Sequence, residues 1–156
     1  MINLEKYKLI SFDMFQTLVD LNSQKSVVLH EIFDNAYNVE TANQFWSEAD
    51  DFVYRYFHRI ATYDLQYNTV TVIFTDCYKT LFYKYNIKMK PEKAAAFLAK
   101  SHNSAEPYPE ALEVITKIKT YNKVCIISDT DNSMIESLIA KFGFFNVLNL
   151  TNSGIG

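Results

Sequence analysis

KLISFDMFQTLVD, residues 8–20, decides how the rest of the chain is read. Within it LISF, residues 9–12, runs into a lone acid, Asp13, and Thr17 follows four positions later. A short apolar run closed by a polar residue reads as a strand buried on both faces, the habit of a parallel sheet. Acids at strand ends are common turn formers. They also stand where open parallel sheets bind ligands, beyond the carboxyl ends of their strands. A carboxylate in that place can form a covalent ester and split one hard displacement into two easier ones. Position 15, two residues after the acid, holds Phe15, whose ring cannot move a proton.

Outward from this stretch, two further strands come into view. VCIIS, 124–128, is a second buried run, ending in Ser128, and NVLNLT, 146–151, is a third, after Gly143. Between them Ile135, Leu138, Ile139 and Phe142 repeat at helical spacing, with cap candidates at Asp131–Ser133 and Gly143 as the stop. A helix before the second strand carries Pro109 in its first turn and a stripe of Leu112, Ile115 and Ile118. Helix, strand, helix, strand is the order of a parallel α/β sheet.

The long middle differs. Val28, Leu29, Ile32, Phe33 and Ala36 share one helical face, and Phe45, Ala49, Phe52, Val53, Tyr56, Phe57 and Ile60 share another. TVTVIF, 69–74, alternates like a strand, but the longer stripe of Val70, Ile73, Phe74, Cys77, Leu81 and Tyr85 favours a helix. Pro91 opens a fourth helix, PEKAAAFLAKS, and the polar HNSAEPYPE leads back to the sheet like a hinge. The expectation is a Rossmann-like core of residues 1–22 and 105–156, interrupted at 23–104 by an all-helical module.

At 156 residues and 49% hydrophobic, the chain can bury a real core, which excludes disorder. Its 15 basic and 18 acidic residues form no basic run, so no nucleic-acid surface is expected. Apolar stretches are too short to span a membrane, and none is expected as partner. Cys77 and Cys125 lack ligand spacing and read as isolated buried thiols of a reducing, cytoplasmic compartment. His30, His58 and His102 have no partner at ligand or triad spacing and read as surface or half-buried residues.

FDMFQTLVD resembles the first motif of the haloacid dehalogenase-like (HAD) hydrolases, a hydrophobic strand ending in D-x-x-x-T with Leu after the Thr. CIISDTD is similar to their second motif, an apolar strand ending in Ser or Thr, and AEPYPEALEVITKIKTYNKV resembles the stretch leading into it. The helical module resembles the family's cap. The resemblance implies hydrolysis through an aspartyl-enzyme intermediate, most readily of a small phosphate ester. It makes Asp13 the nucleophile, Thr17 its supporting hydroxyl and Ser128 the holder of phosphate or substrate. Phe15 and Asp129 become substrate contacts, with helix capping competing for Asp129. In metal-dependent members Mg2+ would be held by the Asp13 carboxylate and the Phe15 carbonyl. Phosphatases of the family usually carry a second Asp where Phe15 stands. An aromatic there is reminiscent of the metal-free 2-haloacid dehalogenases, which hold the substrate carboxylate with an Arg; here the segment offers Lys25 instead. The resemblance also implies a basic residue and an acidic motif after the third strand, and the chain ends at LTNSGIG before both. A fragment, a sheet edge covered by a missing segment or a second copy in a homodimer, and a non-catalytic remnant with a binding role are the expectations that follow.

Overall fold

The computed structural model describes residues 6–63, 66, 68–143 and the backbone of 147–149. In chain order the elements are β1 (Leu9–Phe12), β2 (Val19–Asp20), α1 (Asn22–Phe33), α2 (Val39–Tyr63), α3 (Val70–Tyr85), α4 (Pro91–Asn103), β3 (Glu106–Pro107), α5 (Ala111–Lys119), β4 (Lys123–Ser128), α6 (Asn132–Phe142) and β5 (Val147–Asn149). The third expected strand is seen at 147–149; residues 146, 150 and 151 lie outside the described residues. The chain divides into two compact units, one running to Gln24 and resuming at His102, the other Lys25–Ser101.

The first unit is an α/β structure. Its sheet has the order β1-β4-β5, with both pairs parallel. The register sets Leu9 beside Lys123 and Phe12 beside Ile126. A parallel neighbour needs a crossover, and α6 supplies it between β4 and β5. α6 follows extended Asp131 and stops at Gly143, whose φ of 62° places it in the left-handed region that glycine enters without cost. Its buried face is Met134, Ile135, Leu138 and Phe142, with Ile139 half-buried. In α5 the expected stripe is rotated. The helix begins at Ala111, not Pro109; Ala111 and Ile115 are buried at a spacing of four, Ile118 is half-buried and Leu112 is exposed. β1 also departs from the expected two-sided burial. Ile10 and Phe12 are half-buried, and Leu9 and Ser11 on the opposite face are exposed. A short antiparallel pair, β2 with β3, sets Val19 beside Pro107 where the helical module leaves and returns.

The second unit is helical. Phe45 and Tyr78 are fully buried at its centre, among Val28, Leu29, Ile32 and Leu98. The Phe45 ring meets Phe33 and Tyr85 edge-on and stacks on Tyr78, at centroid separations of 5.3, 5.4 and 5.9 Å. Such geometries suit the ring quadrupoles. The ambiguous TVTVIF segment is helical because both ends are capped. Thr69 Oγ1 accepts from Val72 N–H, and Asn86 closes α3 in the left-handed region. The first stripe ends early: α1 stops at Phe33 and Ala36 lies exposed in a 3-10 turn. Among the described residues no helix is long and apolar enough to cross a membrane.

Candidate active site

β1 delivers Asp13 at its carboxyl end, and the turn after it is tightly closed. Met14, completely buried, anchors the turn and its carbonyl accepts from Leu18 N–H at 2.9 Å and Val19 N–H at 3.2 Å. Gln16 N–H donates to Val19 O at 2.9 Å. This closure forces Gln16 to a φ of 58°, a conformation costing a non-glycine residue roughly 1–2 kcal/mol. Asp13 and Thr17 come out exposed, with Thr17 Oγ1 donating to Asp13 Oδ2 across 3.4 Å. That separation is long, so the hydroxyl orients the carboxylate weakly.

Phe15 is half-buried, and its ring lies 5.4 Å from that of His102, tilted by 52°. Burial pushes the His102 imidazole down to about 4, so it is neutral at neutral pH.

On the neighbouring strand, Ser128 lies two residues beyond Ile126, the partner of Phe12. Asp13 and Ser128 therefore stand at the carboxyl ends of adjacent parallel strands. Ser128 is buried, and among the described residues its Oγ has no hydrogen-bond partner. An orphaned hydroxyl costs about 1–3 kcal/mol, so it asks for a reason. Asp129 follows, exposed. Thr130 Oγ1 reaches Met134 Sδ at 3.3 Å, and Asp131 O accepts from Met134 N–H at 2.9 Å to start α6.

The model of the haloacid dehalogenase-like hydrolase family matches residues 7–156. The chain belongs to that family. Similar solved structures include the defluorinating L-2-haloacid dehalogenase Rha0230, with a TM-score of 0.73 at 14% identity over 91% of this chain and 60% of that one. The putative HAD-hydrolase YfnB from Bacillus subtilis, solved bound to magnesium, has a TM-score of 0.72 at 13% identity over 95% and 67%. The L-2-haloacid dehalogenase RSc1362 has a TM-score of 0.70 at 16% identity over 92% and 63%. Identities so low establish the shared fold, and this chain spans 60% of the length of Rha0230. No curated protein matches the chain.

Within this haloacid dehalogenase-like frame, the donors for magnesium are few. Among the described residues no three His, Cys, Asp or Glu side chains gather in a metal-holding arrangement. Magnesium usually keeps several waters and takes one or two carboxylates with substrate phosphate. The Asp13 carboxylate and the Phe15 carbonyl are two donors, so most positions around such an ion would fall to water and substrate. Lys25 belongs to the helical unit, where its Nζ stands 5.7 Å over the Trp46 ring and its charge opposes the burial that raises the Asp50 carboxyl.

The turn and strand ends thus hold Asp13, Phe15 and Thr17 on one segment and Ser128 and Asp129 on the next. Three residues around them escape a reading of the sequence. Gln16 is not a residue type that signals a left-handed turn. Tyr108, whose Oη donates to Gln16 Oε1 at 3.1 Å, is far from it in the chain. His102, expected at the surface or half-buried, is buried.

Proposed function

We propose that the protein is a hydrolase working through an ester on Asp13, with a small phosphate ester as its substrate. An Asp13 carboxylate oxygen attacks phosphorus and the bond from phosphorus to the departing oxygen breaks. The alcohol leaves and takes its proton from water. A second water then cleaves the acyl phosphate, releasing inorganic phosphate and restoring the carboxylate. The observation carrying this reading is the buried Ser128 hydroxyl at the strand end beside Asp13, which has no hydrogen-bond partner among the described residues. A donor kept dry and unused by those residues is suited to a phosphoryl oxygen whose charge grows during the reaction. Because Phe15 supplies no proton, the substrates expected to react are those whose alcohol is acidic enough to leave with help from solvent alone.

Phe15 favours a second reading, displacement of halide from a 2-haloacid, since halide departs without a proton. Rha0230 and RSc1362 are L-2-haloacid dehalogenases. Lys25, the residue offered for the substrate carboxylate, is occupied over Trp46, which speaks for the phosphate ester. A reducing, cytoplasmic setting accords with two free buried thiols, Cys77 being pushed up to about 12 by burial and hence inert.

Turnover of p-nitrophenyl phosphate and of 2-chloropropionate by the wild-type protein and by Asp13→Asn separates the readings. Release of p-nitrophenol, reduced on the order of a thousandfold or more in Asp13→Asn, is expected. Chloride release without p-nitrophenol moves the assignment to the haloacid. An Asp13→Asn protein as active as wild type sinks both. No turnover of either substrate favours a binding role.

A further inference from the structure

The turn that carries Asp13 holds another polar side chain that the nucleophile reading leaves unused. Gln16 stands at its apex, three residues after Asp13 and one before Thr17, exposed to water. Its backbone N–H is spent on Val19 O. Its side-chain oxygen is taken as well, because Tyr108 Oη donates to Gln16 Oε1 at 3.1 Å. Tyr108 in turn is tied to the same turn, its N–H donating to Leu18 O at 3.0 Å. An amide is planar, so fixing its oxygen also fixes its NH2 group. Among the described residues, Nε2 of Gln16 makes no hydrogen bond. A non-glycine residue stays left-handed only where its surroundings over-determine it, and such residues gather at functional sites.

We propose that the Gln16 amide is a substrate-binding donor, its Nε2 hydrogen-bonding a non-reacting oxygen of the phosphoryl group held at Asp13, and that Tyr108 is the positioning residue that aims it. The inference rests on Asp13 as nucleophile and names the group that meets the oxyanion from the nucleophile's own turn. Ser128 meets it from the adjacent strand end. An amide N–H pairs well with an anionic oxygen and gives up no proton, so Gln16 grips the transferring group without helping the alcohol to leave. Holding a reactant by pre-set donors lowers the cost of ordering it.

Inorganic phosphate is the probe, with binding followed by titration calorimetry. Gln16→Gly is expected to weaken phosphate binding roughly tenfold. Its thermal midpoint should stay level or rise, since glycine accepts the left-handed turn freely. Tyr108→Phe keeps the ring, loses the hydroxyl and should weaken binding by about threefold. Adding Tyr108→Phe to Gln16→Gly should change the affinity no further, a non-additivity that a merely structural tyrosine would not produce. Gln16→Asn, which tolerates the left-handed region but is too short to meet Tyr108, gives the same loss if the glycine variant folds poorly. Wild-type affinity in the Gln16 variants, or no phosphate binding by the wild-type protein, overturns the assignment. The nucleophile reading is judged separately, by the rate of Asp13→Asn on p-nitrophenyl phosphate, so either can fail while the other stands.

Discussion

His102 carries an imidazole whose proton affinity folding lowers, and the sign of its effect on stability follows. The folded value is about 4 against an ordinary 6.5, because burial penalises the charged ring. Between those two values the unfolded chain binds a proton that the folded chain does not. Stability is therefore full above pH 6.5 and is lost as pH falls toward 4, by about 2 kcal/mol between pH 7 and pH 5. His102→Phe, which keeps a ring against Phe15, should remove that share of the acid sensitivity. Urea unfolding at the two pH values measures it, and a variant as acid-sensitive as wild type contradicts the assignment. Nothing in the neighbourhood of His102 in the chain announces its burial. That burial comes from folding against distant residues such as Phe15, and local spacing does not carry it. The positions of Asp13 and Ser128, by contrast, can be read locally, because each closes an apolar run that forms a strand.

The same contrast holds for elements. The start and stop of α6 are local chemistry: a polar run at Asp131–Ser133 and a glycine with φ 62°. Both can be read from the residues. What satisfies the end of that helix cannot. Lys119, at the end of α5, donates its Nζ to Phe142 O at 2.7 Å and Gly143 O at 2.6 Å. A cation on the last carbonyls of a helix neutralises the negative end of its dipole and occupies acceptors that have no partner within the helix. Lys119→Met keeps the length of the stem and removes the charge. It should destabilise the protein by about 1–3 kcal/mol, read as a lower urea midpoint with an unchanged slope. A loss below about 0.3 kcal/mol would mean that water serves those carbonyls as well. The misplaced start of α5 has a related cause. Pro109 suits a first helical turn, but the Ala111 N–H closes a turn onto Tyr108 O at 3.0 Å, and the helix begins after it.

At the scale of the molecule, the α/β frame with a helical interruption was readable because hydrophobic period changes along the chain, from short runs to long stripes. Period does not reveal that each part owns a core. Ile126, Met134, Ile135 and Leu138 are buried in the α/β unit, and Phe45, Tyr78 and Leu98 in the helical one. Separate cores allow separate loss of structure, and the chain carries its own reporter. Trp46 is its single tryptophan and belongs to the helical unit, beside Phe45 in sequence. Phe45 is completely buried against the rings of Phe33, Tyr78, Phe82 and Tyr85, so Phe45→Ala removes those contacts and leaves a cavity. Such truncations cost about 3–5 kcal/mol. Trp46 fluorescence should therefore show a much lower urea midpoint in Phe45→Ala. Ile135→Ala, in the other core, should lower the midpoint of hydrolytic activity, or of phosphate binding, while the Trp46 transition moves less. Two units that unfold independently would give two transitions and invalidate a single free energy for the whole chain. If fluorescence and ligand binding shift together in both variants, the two cores act as one cooperative body, and the division into units describes contacts without describing stability.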